Sequence, residues 1–199
     1  MPLSPPVERD LMHTRSIEIQ GFSRADGQFD IEAHLTDKKG YDFVTPGRTI
    51  PLGVPLHEMW VRLTIDETMT ITACEATTEY GPYSVCKNGS VTMDRLVGLQ
   101  VKGGFMKAAN ELLRGADGCT HLREVLGQMA TTTMQTMAST KTRAGALARL
   151  NGTFDMAKAR SDDSRAHRLI DSCYAYAKDG EVVKERWPHL AAGAEPSQG

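Results

Sequence analysis

The sequence predicts an α+β fold, an antiparallel sheet of two hairpins followed by helices packed on one face. Three observations carry that reading. Within the first eighty positions, short runs either alternate apolar and polar residues with period two or concentrate β-branched and aromatic residues. Two of the runs close on aspartate-containing turns, Asp26-Gly27 and Asp66-Glu67-Thr68. Beyond Tyr83 the apolar period changes to three and four. Strands first and helices after is the order of an α+β domain.

Residues 1–10 hold three prolines and read as an irregular lead-in. The first hairpin pairs 15–20 with 28–35. Ile17 and Ile19 alternate on one arm, and Phe29, Ile31, Ala33 and Leu35 on the other. Residues 38–53 read as a polar connection punctuated by glycine and proline. The second hairpin pairs 60–65 with 69–77, both arms enriched in β-branched residues. Short helices are expected at 91–99, ending at Gly98, and at 105–113, closed by Gly115. The clearest helix spans 119–137, where Leu122, Val125, Leu126, Met129, Thr133 and Met137 form one apolar stripe. In domain terms, 11–138 is the α+β core and 139–164 a mobile loop. Segment 165–190 is expected to pack on the core, with a weak helix at 166–177, and 191–199 is a disordered tail.

Composition narrows the function. In 199 residues, 23 Lys and Arg nearly balance 25 Asp and Glu, for a net charge of −2. That balance gives nucleic-acid binding no electrostatic footing. No apolar run approaches the length of a membrane span. The N-terminus has charges and prolines where a secretory signal needs an apolar stretch, so a cytoplasmic location is expected. In that compartment Cys74, Cys86, Cys119 and Cys173 are expected to be free thiols. Cys74 reads as core packing within a strand, and no Cys-x-x-Cys pair is present.

Three segments interrupt the pattern at its junctions. They are Pro55-Leu-His57-Glu58-Met59, Pro82-Tyr83-Ser-Val-Cys86 and Gly118-Cys119-Thr-His121-Leu122. Together they offer imidazole and thiol donors, a mixture suited to zinc or iron. A cysteine in the first turn of a helix is favoured as thiolate by the orphan amides there, which points to Cys119. The candidate metal ligands are therefore His57, Cys86, Cys119 and His121. As catalytic groups, His57, Cys119 and His121 are the candidates, and Arg62, Tyr83 and Arg15 are expected to line a small-molecule pocket. His34, close to Glu32 and Asp37, is read as a strand residue pointing outward. Phosphate-loop, dinucleotide and hydrolase-elbow motifs are absent.

These same segments resemble a bacterial family known as domain of unknown function 2889. Phe22-Ser-Arg24-Ala-Asp26-Gly27, Ile31-Glu-Ala-His34-Leu-Thr-Asp37, 55–66, 82–86, 118–122 and Gln135-Thr136 carry the resemblance across roughly residues 10–190. More loosely, the order of elements and ligands is similar to NifU-type iron–sulfur scaffolds, which implies a NifU/SufE-like fold. On that likeness His57 takes the place of the first cysteine, Cys86 the second, and Cys119 with His121 the final pair. With one cysteine replaced by histidine, a mononuclear site of mixed nitrogen and sulfur donors fits the residues better than a cluster.

The leading expectation is thus a metal-binding protein whose zinc or iron site acts on a small molecule. One alternative is a metal-free lyase or hydrolase using a Cys/His pair. Another is a non-catalytic assembly module, with Met129, Met134 and Met137 forming a homo-oligomer contact.

Overall fold

The computed structural model describes residues 3–45, 47–153 and 164–193. The chain divides into two compact units, Met1–Arg143 and Ala144–Gly199.

The first unit is an α+β layer. Strands β1 (His13–Ser23), β2 (Phe29–Lys39), β5 (Pro55–Ile65) and β6 (Ile71–Tyr80) form an antiparallel sheet in the order β1-β2-β5-β6. Between β2 and β5 the chain makes a small separate hairpin, β3 (Phe43–Thr45) with β4 (Arg48–Ile50). That stretch was expected as a plain connection. Each of its strands is only three residues long, too short to show alternation.

Both long hairpins form where the alternation places them. Gly27, at φ +86°, supplies the left-handed residue that the first turn needs. In the second turn the Asp66 carboxylate accepts bonds from the Thr68 amide (2.8 Å), the Thr68 hydroxyl (2.7 Å) and the Thr70 amide (2.9 Å). The strands run several residues further than expected, and the extension of β5 back to Pro55 puts His57 inside the sheet.

Alternation then assigns the faces. Phe29, Ile31, Ala33 and Leu35 of β2 are buried on the inner face, with Met59, Val61, Leu63 and Ile65 of β5 beside them. The outer face carries charge. Arg62 is bonded to Glu32 (2.6 Å) and Glu75 (3.1 Å), and His34 stacks on Trp60 with ring centroids 3.7 Å apart.

Helices cover the inner face. A single turn, α1 (Asn88–Val91), continues as a 3-10 turn (Thr92–Leu96) where an ordinary helix was expected, and α2 is Phe105–Leu112. Met93, Leu96, Phe105 and Ala109 join the core from these elements. The long helix α3 spans Thr120–Leu150 and buries Leu122, Val125, Leu126, Met129 and Thr133. The predicted stripe is therefore the packed face up to Thr133. Residues 139–150, expected as a loop, continue α3. Alanine, leucine, lysine and arginine there support helix without an apolar stripe to announce it.

Two contacts fix how α3 lies along β1. Glu124 reaches Arg15, and Thr136 sits where a side chain at Gly21 would project. Twelve helical residues span about 18 Å and six strand residues about 20 Å, so helix and strand keep pace. The first turn of α3 thereby comes to the Arg15 end of the sheet.

In the second unit, α4 (Ser164–Leu169) and α5 (Glu181–Arg186) are separated by a 3-10 turn at Tyr174–Tyr176. The helix expected at 166–177 is therefore broken into shorter pieces. Residues 154–163 and 194–199, part of the expected loop and tail, lie outside the described residues.

Candidate metal centre

At one end of the inner face the apolar phase of β2 and β5 continues into polar residues. In β2 the buried series Phe29, Ile31, Ala33, Leu35 runs on to Asp37. In β5 the series Ile65, Leu63, Val61, Met59 runs on to His57. Strand pairing sets Arg15, Asp37 and His57 side by side in one row across β1, β2 and β5. His121 enters from above, in the first turn of α3.

Asp37 is the centre of this group and is only 1% exposed. Arg15 grips it with two bonds, Nε to Oδ1 at 2.7 Å and Nη2 to Oδ2 at 2.8 Å. His13 Nε2 lies 3.2 Å from Oδ1, and His57 Nδ1 lies 3.1 Å from Oδ2. His121 Nε2 stands 3.9 Å from the same Oδ2. The His57 and His121 rings are tilted by 35° with centroids 3.9 Å apart. One donor atom from each of Asp37, His57 and His121 lies within 4.8 Å of the others.

The electrostatics suit a ligand set. Burial pushes the Asp37 carboxyl up, but the Arg15 guanidinium, helped by His57 and His13, outweighs it and holds the group at about 2. Asp37 is therefore a carboxylate throughout the ordinary pH range. Burial lowers the His57 pKa, the neighbouring His121 lowers it further, and Asp37 opposes both only in part. A neutral imidazole has a lone pair to give to a metal or a proton.

The residues expected from sequence fall in several places. His57 and His121 meet. Cys119 immediately precedes α3, and its sulfur lies 3.9 Å from His121 Nδ1, the nitrogen turned away from Asp37. Cys86 lies in the 3-10 turn Ser84–Lys87, against Gly81, and is not part of the Asp37–His57–His121 group. Arg15 is at the group, yet its donors are engaged by Asp37 and, through Nη1 at 2.7 Å, by Glu124. Arg62 stands on the outer face between Glu32 and Glu75. Tyr83 is 72% exposed between β6 and the 3-10 turn. His34 does point outward, with Nε2 3.0 Å from Glu58. As for the other thiols, burial pushes Cys74 up to about 12, and Cys173 is exposed in the second unit.

In the sequence Asp37 stands out only as a neighbour of His34, and His13, near the chain end, does not stand out. One signal in the sequence does mark Asp37, because it occupies the next inner position after four apolar ones. A carboxylate in the buried phase of a strand requires a partner of opposite charge or a metal.

No curated protein and no solved structure matches the chain, so the NifU/SufE likeness draws no support from either comparison. The donor group also lacks the several thiolates that hold an iron–sulfur cluster. The family described as Protein of unknown function (DUF2889) matches residues 13–135, a stretch that includes the whole sheet, the first turns of α3 and every residue of the Asp37 group. The chain belongs to the DUF2889 family.

Proposed function

We propose that Asp37, His57 and His121 hold one divalent transition metal, zinc or iron, and that the bound ion acts on a small molecule. The observation that carries this reading is the convergence of three donor atoms within 4.8 Å at a buried end of the sheet. Donors of a four-coordinate ion with bonds near 2.0–2.1 Å lie about 3.3 Å apart. The 3.1 and 3.9 Å separations at Asp37 Oδ2 bracket that value. Two imidazoles and a carboxylate suit zinc or iron(II) and leave a coordination position open. Such an ion supplies an ionised water or a polarised carbonyl. Arg15 then serves as the outer partner that fixes the carboxylate, and Cys119 as the outer partner of His121 Nδ1.

The test is calorimetric titration of chelator-treated protein with zinc and, without oxygen, with iron(II). One equivalent should bind, and His57→Ala or His121→Ala should weaken binding by about a hundredfold or more. No binding by the wild-type chain would contradict the proposal.

One observation favours a second reading. Cys119 Sγ, His121 and Asp37 are arranged in the order of nucleophile, base and orienting carboxylate, with both gaps at 3.9 Å. A metal-free thiol enzyme predicts that, with chelator present, iodoacetamide labels Cys119 much faster than Cys74, Cys86 or Cys173. It also predicts that His121→Ala removes the difference. Uniformly slow labelling would end this reading.

A further inference from the structure

The two strands that carry Arg15 and Asp37 inward carry a different set of residues outward. Thr14 pairs with Lys38 and Ser16 with Thr36, so two adjacent cross-strand pairs share the outer face. Cross-strand neighbours lie about 5 Å apart and positions two along a strand about 7 Å apart, which makes a compact patch. These four residues line a groove of roughly 350 Å³, bordered by Leu11, Gly40 and the Leu52-Gly53 bend. Lys39 borders it too, its ammonium lying 5.2 Å from the Phe43 ring centroid.

Among the described residues, the hydroxyls of Thr14, Ser16 and Thr36 and the ammonium of Lys38 have no side-chain partner. Several neighbouring polar groups on this face are satisfied by one another. Glu58, opposite Thr36 on β5, is bonded to His34, and Glu18 accepts from Gln20. Three hydroxyl donors and an ammonium gathered in one groove, with no carboxylate lining it, match a compact multivalent oxyanion.

We propose that this groove binds a phosphate group, either inorganic phosphate or the phosphate of a small monoester. The tetrahedral group offers three or four acceptor oxygens to donors standing on both strands, more than a carboxylate can present. The site is independent of the metal centre, because strand alternation puts Thr14, Ser16, Thr36 and Lys38 on the face opposite Arg15 and Asp37.

The experiment titrates the full chain, after chelator treatment, with inorganic phosphate and separately with glycerol phosphate, at constant ionic strength held with chloride. Saturable binding is expected by calorimetry, with Lys38→Met weakening it about tenfold and Thr36→Val or Ser16→Ala weakening it less. His121→Ala should bind phosphate like wild type. Thermal unfolding checks that each variant is folded, and the two hydroxyl substitutions keep the test available if Lys38→Met is not. Tighter binding of the ester identifies a small organic phosphate as the ligand; equal binding identifies the phosphate group alone. The proposal is overturned if no saturable binding occurs, if the groove variants bind like wild type, or if His121→Ala rather than Lys38→Met removes binding.

Discussion

Asp37 decides what the inner end of the sheet can do. It is buried, ionised and shared among Arg15, His13 and His57. Its folded pKa of about 2 lies below the ordinary carboxylate value, so its ionised form stabilises the fold. That stability is complete above the unfolded value near pH 4 and is lost as pH falls from about 4 to 2. Urea unfolding of chelator-treated protein between pH 2 and 5 should show the loss, and Asp37→Asn should lack that component. Near neutral pH the same substitution leaves Arg15 half paired and should cost about 2–3 kcal/mol, less than a fully buried pair because Arg15 is one-third exposed. The thiols separate by position. If Cys119 orients His121 from behind, Cys119→Ser should lower zinc affinity about tenfold, whereas Cys86→Ser should leave it unchanged. Equal effects in calorimetry would contradict that division.

At the scale of elements, the register of β2 against β5 and the docking of α3 make the site. Gly21 admits the helix, since a methyl group there would collide with the Thr136 hydroxyl. Gly21→Ala should lower the melting temperature by several degrees and weaken zinc binding although it touches no ligand. Thr136→Ala should restore part of both. Met129, fully buried in the stripe of α3, should cost about 3 kcal/mol when replaced by alanine, read as a shifted urea midpoint. These elements were unequally legible. Two β-hairpins and the first half of α3 announce themselves because one face of each is buried, which imposes the period. The β3–β4 hairpin is too short to have a period. The second half of α3 buries no stripe, so only the Asn151-Gly152 stop, with Gly152 at φ +71°, marks its end at Leu150.

Across the molecule, local sequence names the parts of the site but not their meeting. His57 and His121 stood out at element junctions. Their common partner, Asp37, is twenty residues from His57, and β2 meets β5 only after the chain has made an intervening hairpin. Cys86 looked equivalent to Cys119 as a thiol at a junction. Only packing distinguishes them, setting one against Gly81 and the other beside His121. The family match spans the sheet and the start of α3, the part of the chain that brings Arg15, Asp37, His57 and His121 together. The most direct test of the central claim is the metal content of the full chain purified without chelator or oxygen, beside His57→Ala and His121→Ala. The account predicts about one zinc or iron per wild-type chain and almost none in either variant. A folded wild-type protein free of metal, or variants that retain it in full, would contradict the account.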